Sequence, residues 1–252
     1  MFFKYLFKYF RDLIRLKFDT DGNSKFGKII YKIIKKGIYL DVGCYHPLKG
    51  SQTAFLYNHG WRGVNLDISK QSIDMFRVFR PRDLNLNLGL STKSGKQYAY
   101  FEGDISTVSS LDKNYLKKIG RKNKKKKSIN VITLKKLRQK YNLKEINFLK
   151  LDCESIDESI IMQASLKDLD CNFLSIELLP QIHYGWKNYK LPKTNLNKYC
   201  REYFLKSKLY RKLKKSFIFS SNFFKVIFIQ TRNCRYTSFK VSILFSRFCR
   251  KT

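Results

Sequence analysis

Residues 38–47 read Ile38-Tyr39-Leu40-Asp41-Val42-Gly43-Cys44-Tyr45-His46-Pro47, an apolar run of strand length that carries one acid and stops at a glycine. Such a run, bounded by a turn signal, reads as a strand buried on both faces. Gly43 can turn sharply, and without a side chain it lets the backbone close on a ligand. Residues 63–68 repeat the arrangement as Gly63-Val64-Asn65-Leu66-Asp67-Ile68, with Asp67 placed 26 residues after Asp41. In open α/β sheets an acid about there accepts hydrogen bonds from a ribose. Strand, glycine turn, helix, strand, acid is a nucleoside-binding layout. Cys44 beside the glycine, Ile68 after the acid and Gly89 near the end of the next apolar run complete the cofactor-binding set with Asp41, Gly43 and Asp67. The chain has no GxGxxG, so a nicotinamide dinucleotide is poorly supported.

Outward from this core the pattern alternates. Lys28–Lys36 reads as a short helix before the first strand, and Ser69–Phe79 and Leu134–Tyr141 carry helical patterns. Leu84–Leu90 alternates Leu with Asn or Gly and reads as a third strand, Ile146–Leu151 as a fourth and Phe173–Leu178 as a fifth. Strand, helix, strand, helix predicts an α/β fold with a mainly parallel sheet and right-handed crossovers. Ser216–Ser220 and Lys225–Gln230, separated by Ser221-Asn222-Phe223-Phe224, predict an antiparallel hairpin that closes the sheet. Three regions follow: a basic amphipathic helix and turn over 1–27, a main domain over 28–230 and a basic aromatic tail over 231–252.

Ligands of such sheets bind beyond the carboxyl ends of the strands. The fourth strand ends in Asp152-Cys153-Glu154. On extended chain, residues i and i+2 share a face, so the two carboxylates could orient a hydroxyl, take its proton or hold a metal. His183, shortly after the fifth strand, is a candidate base with an ordinary pKa of ~6.5, and the alternative is a purely structural histidine. His46 is closer to the glycine turn and equally ambiguous. Six cysteines occur, none in a CxxC pair, which removes zinc-ribbon and thioredoxin readings. No metal ligand is assigned.

The formal net charge is +33, which attracts nucleic acid, acidic lipid or charged glycan. Codon bias accounts for Lys over Arg but not for so few acids. Residues 2–18 place Lys4, Lys8, Arg11 and Arg15 opposite Phe3, Leu6, Phe10 and Leu13. This basic amphipathic helix suits an anionic membrane interface, or else caps the domain's own core. Lys113–Lys127 holds nine basic residues and reads as an exposed loop between the third and fourth strands. No apolar run approaches the roughly 20 residues that span a bilayer, and no secretory signal is evident. The expected location is cytoplasmic, with peripheral contact at the inner face of the membrane. Basic runs bind phosphate without reading sequence, and no RNA-recognition module is visible, so nucleic acid ranks below the membrane as a partner. The sequence says nothing of oligomeric state.

Taken together, these residues resemble the FkbM family of methyltransferases. The likeness runs through Tyr39–Pro47, Ser51-Gln52-Thr53, Gly60–Asp67, Arg80-Pro81-Arg82-Asp83, Phe148–Glu154 and Leu174-Ser175-Ile176-Glu177, roughly residues 38–230. It implies a Rossmann-like class I methyltransferase fold and S-adenosyl-L-methionine as methyl donor. The implied acceptor is a hydroxyl of a sugar, glycan or related metabolite, as in polysaccharide biosynthesis. Asp41 and Gly43 would line the methionine side, Asp67 would grip the ribose, and Asp152 and Glu154 would sit at the reactive end. Two positions depart from the family pattern: Gln52 replaces Asn, and Ser155 replaces a glycine after the Asp-x-Glu motif. An RNA methyltransferase and a non-catalytic nucleoside- or membrane-binding domain remain the alternatives.

Overall fold

The computed structural model describes residues 23–103, 108–118, 120–122, 124–154, 156–177, 224–232 and 238–246. Helix α1 (Asn23–Ile33) leads into β1 (Ile38–Val42), α2 (Ala54–Asn58), β2 (Arg62–Leu66), α3 (Lys70–Phe79) and β3 (Leu84–Leu86). A second group follows, with β4 (Gly89–Leu90), β5 (Gly95–Phe101), β6 (Ser109–Ser110), α4 (Tyr115–Lys118), β7 (Lys125–Ile132) and α5 (Leu134–Lys140). The chain then continues through β8 (Phe148–Leu151), α6 (Asp157–Gln163), β9 (Phe173–Glu177), β10 (Phe224–Arg232) and β11 (Ser238–Ser246).

The main sheet has the order β11-β10-β9-β8-β1-β2-β3. Every pairing from β3 across to β10 is parallel. The strand order reverses at β1, between β2 and β8, and this is the switch point where an open α/β sheet gathers its ligand. Period-two alternation gives the sheet two different faces. Leu40, Val42, Leu66, Leu149, Leu151 and Leu174 pack with Leu137 of α5 and Ile160 and Ile161 of α6. The opposite face stacks Tyr39, Phe148 and Phe173 against Phe26 and Ile30 of α1, Leu56 of α2 and Trp61. Burying one indole such as that of Trp61 is worth on the order of 4–6 kcal/mol at the usual area coefficient.

Two residues further along the aromatic face, the apolar pattern breaks at one register. Asn85, Asn65, Asp41, Lys150 and Ser175 are partners in turn across β3, β2, β1, β8 and β9. Of these, Asn65, Asp41, Lys150 and Ser175 are buried. Asp83 secures the β2–β3 side of this row. Its carboxylate accepts from Gly63 N at 2.9 Å, from Asn65 Nδ2 at 3.0 Å and from the Tyr39 hydroxyl. Tyr39 lies so close over Gly63 that a β-carbon there would sit 1.9 Å from its ring.

Arg80 secures the loop after β1. Its buried guanidinium donates to Thr53 Oγ1 at 2.8 Å, Ser51 Oγ at 2.7 Å and the Pro47 carbonyl. Thr53 passes the contact on, donating to Asp41 Oδ2 at 2.6 Å. The run Arg80–Asp83 is therefore structural scaffolding for the strand tips.

Several expectations change. The helix before β1 spans Asn23–Ile33, so it begins ahead of the expected Lys28–Lys36 and stops short of its end. The third strand divides: Leu88 N bonds back to Leu86 O, and Gly89–Leu90 leaves to pair with β7 in a second sheet of order β4-β7-β5-β6. Lys113–Lys127 is not a plain loop, since it contains α4 and the start of β7, which pairs antiparallel with β5 over seven residues. The lysines concealed the strand because Lys125, Lys126 and Lys127 are all exposed, whichever face they occupy. Ser216–Ser220 lies outside the described residues. The antiparallel partner of β10 is Ser238–Ser246, from the region read as a tail, and β10 itself runs parallel to β9. Residues 2–18 also lie outside the described residues. Among those described, no helix is long and apolar enough to cross a membrane.

If Arg80 holds the 47–53 loop, Arg80→Met leaves three buried acceptors without their donor. The expected cost is about 2–4 kcal/mol, read as a lower urea midpoint. Arg80→Lys should recover only part of it, because an ammonium cannot reproduce the planar fork.

Candidate functional site

The tips of β1, β2 and β8 surround a cavity of about 290 Å³, near the lower limit for small-molecule sites. Gly43, Cys44, Asp67, Ile68, Gly89, Asp152 and Glu154 all line it. Asp41 is not in the lining: it is 1% exposed and lies beneath, within the polar row. His183 lies outside the described residues.

Gly43 closes the floor. Its φ is +69°, and a β-carbon would fall 1.9 Å from the Asp152 carbonyl oxygen. A glycine is required here both for the left-handed backbone and for the approach of β1 to β8. The amides of Gly43 and Cys44 both donate to Leu66 O, at 2.9 and 3.1 Å, which ties the turn to β2.

Asp67 is held by the backbone, with Tyr45 N donating to Oδ2 at 2.8 Å and Ser69 N to Oδ1 at 2.7 Å. Burial pushes its pKa up to about 6, and the two amides oppose that rise without cancelling it. Each oxygen keeps a further lone pair for a ligand hydroxyl.

Lys150 sits where the carboxylates meet. Its ammonium donates to Gly43 O at 2.6 Å and lies 3.3 Å from Asp41 Oδ1 and 3.5 Å from Asp152 Oδ2. Burial works against its charge, but the two carboxylates outweigh that and raise its pKa. Asp152 is the more open partner, with 15% of its side chain exposed.

Glu154 has φ +53° in a non-glycine residue, a conformation that persists only where the surroundings enforce it. Here Ser110 Oγ donates to its carbonyl at 2.6 Å and the buried Tyr115 hydroxyl donates to its carboxylate. Both contacts come from the second sheet and its helix, which also supply Ser109 and Leu111 to the cavity wall. Ser155, the departure from the family pattern, lies outside the described residues.

Asp157 Oδ1 accepts from Cys153 N at 2.9 Å, and burial followed by the charge of Asp152 pushes its pKa up to about 7. Burial also raises the thiols of Cys44 and Cys153, which makes them poor nucleophiles. His46 has a structural role, because Nδ1 accepts from the amides of Leu48 and Lys49 at 3.1 and 2.9 Å. Among the described residues no cluster of three His, Cys, Asp or Glu is spaced to hold a metal.

Sequence reasoning assigned no role to Lys150 or Tyr115. Lys150 left a signal, as the one charge inside the strand Phe148-Leu149-Lys150-Leu151 and in register with Asp41. Tyr115 left none, since its approach to Glu154 spans 39 residues of chain.

Gly43→Ala should disrupt the contact of β1 with the 152 carbonyl as well as the backbone turn. The expected loss is at least ~2 kcal/mol, visible as a lower melting temperature. A melting curve matching the unsubstituted protein would contradict this geometry.

Comparison with curated proteins and with solved structures finds no match. Residues 41–212 match the family model of the methyltransferase FkbM domain, from the acid of β1 past β9. With the greater part of its length covered by that match, the chain belongs to the FkbM family of methyltransferases.

Proposed function

We propose that the chain is an S-adenosylmethionine-dependent enzyme of the class I methyltransferase fold that methylates a hydroxyl of a sugar, glycan or related metabolite. The observation that carries this reading is the convergence of Gly43, Asp67, Asp152 and Glu154 on one cavity at the switch point of a parallel sheet.

The chemistry of the lining fits an adenosyl sulfonium. Asp67 offers two fixed oxygens to ribose hydroxyls, while Ile68, Leu88 and Leu90 offer apolar surface to a purine. Glu154 adds a carboxylate to the wall of the same cavity, complementary to a cationic sulfur and an ammonium. Gly43, whose Cβ position is taken up by the Asp152 carbonyl, contributes backbone alone to the cavity.

When bound, the cofactor supplies a methyl group on positively charged sulfur. The residues of the chain then have to orient the acceptor oxygen in line with that methyl and remove its proton. Asp152 is suited to orient a hydroxyl, because it is partly exposed and Lys150 fixes its position. The acceptor hydroxyl becomes acidic as the methyl–oxygen bond forms, and a carboxylate beside it can take the proton at that point. His183 is the alternative acceptor. Residues 2–18 would hold the enzyme at an anionic cytoplasmic membrane face; equal sedimentation with acidic vesicles after deletion of residues 1–18 would exclude that segment as the contact.

Titration calorimetry with S-adenosylmethionine tests the cofactor assignment. Asp67→Ala should weaken binding on the order of 100-fold, the equivalent of about 3 kcal/mol. Asp152→Asn should keep affinity within a few fold while methyl transfer to a panel of sugars falls by at least ~100-fold. Unchanged transfer would exclude Asp152 from the chemistry.

The pH dependence has a definite sign. Asp67 binds a proton as pH falls through about 6, and the neutral acid loses acceptor capacity. Affinity should therefore rise with pH, being roughly tenfold weaker at pH 5 than at pH 7. In Asp67→Asn the step near pH 6 should vanish.

A further inference from the structure

Positive charge is segregated in this chain. Residues 38–83 contain six basic and four acidic residues and residues 145–200 six and eight, whereas residues 84–144 contain sixteen basic and three acidic; the rest of the excess lies in residues 1–37 and 201–252. A uniform codon bias would not divide them so. Apart from β3, the stretch 84–144 is the one that forms the separate sheet β4-β7-β5-β6 with α4 and α5.

The register of that sheet sets a track on one face. Lys96 and Tyr98 on β5 share a face, and their partners on β7 are Asn130 and Ser128; Lys126 joins the same face opposite Tyr100. Tyr98 is 56% exposed, and Lys126 Nζ lies 3.9 Å from its ring centroid. At the other end of the track is an open depression of about 330 Å³ lined by Lys96, Asn130, Lys136 and Lys140. Lys136 and Lys140 stand four apart on α5, where like charges repel unless an anion lies between them. None of Lys96, Lys126, Lys136 and Lys140 pairs with a carboxylate among the described residues. Leu88 lines both this depression and the candidate catalytic cavity.

We propose that the Lys96–Tyr98–Lys126 face of the second sheet, continued into the Lys136–Lys140 depression, binds an acidic glycan. This rests on the sugar-methylating reading above and narrows its substrate to an anionic polysaccharide. An aromatic ring with Lys126 against it and Lys96, Lys136 and Lys140 beyond complements a polymer that alternates sugar rings with fixed negative charge. A single exposed ring is a poor platform for single-stranded RNA, which stacks successive bases on successive aromatics. The face also lacks the broad apolar stripe that inserts into a membrane.

Binding of polygalacturonate to the full chain tests this, beside neutral dextran, poly(U) RNA and anionic phosphatidylserine vesicles at one ionic strength. Lys96→Gln/Lys126→Gln should weaken polygalacturonate binding by about tenfold or more, and Tyr98→Ala by about threefold or more. The control Lys28→Gln/Lys32→Gln removes equal charge from exposed positions on α1 and should change binding by less than about twofold. An equal loss in the control, no effect of Tyr98→Ala, or tighter binding of poly(U) or vesicles would overturn the proposal. S-adenosylmethionine titrated into the same variants should bind as in the unsubstituted protein. Glycan binding that fails while cofactor binding persists sinks only this inference, and cofactor binding that fails in every protein sinks the methyltransferase reading instead.

Discussion

One buried ammonium holds the strand tips together. Lys150 lies between the carboxylates of Asp41 and Asp152 and also bonds the Gly43 carbonyl. An unpaired charge at that depth would cost several kcal/mol, so the arrangement persists only because both acids and the carbonyl satisfy it together. The contact chain continues from Asp41 through Thr53 to the Arg80 guanidinium. Two cations and two anions thus alternate from the end of α3, through Thr53 of the loop after β1, to β1 and the end of β8. This ties the position of the cavity-facing Asp152 to residues far outside the cavity. Asp41 is better understood as a keystone of that chain than as a ligand contact.

The second sheet completes the site from the other side. Ser110 and Tyr115 fasten Glu154 in its left-handed conformation, and Ser109 and Leu111 wall the cavity. The segment between the third and fourth core strands is therefore part of the functional architecture. The cavity thus has its floor from one sheet and part of its wall from another, so the two can vary separately.

Much of this was legible in the sequence, and the limits are instructive. Strands β1, β2, β8 and β9 could be read because each is a short, largely apolar run ending at or beside an acid or glycine. Gly43, Cys44, Asp67, Ile68, Gly89, Asp152 and Glu154 were all read from their places beside strand ends, and they share one cavity. Asp41 has the same sequence signature, yet strand alternation turns it into the row beneath. The β5–β7 pairing escaped notice because exposed lysines on both faces erase the apolar alternation that marks a strand. The edge pairing of β10 with Ser238–Ser246 is a long-range choice between several β-rich runs of equal local propensity.

The central claim is that this cavity holds an adenosyl group. A crystal structure with S-adenosylhomocysteine tests it most directly. The account predicts ribose hydroxyls on the Asp67 carboxylate and the thioether sulfur facing Asp152 and Glu154. A ligand bound elsewhere, or one in this cavity that leaves Asp67 without a hydroxyl, would contradict it.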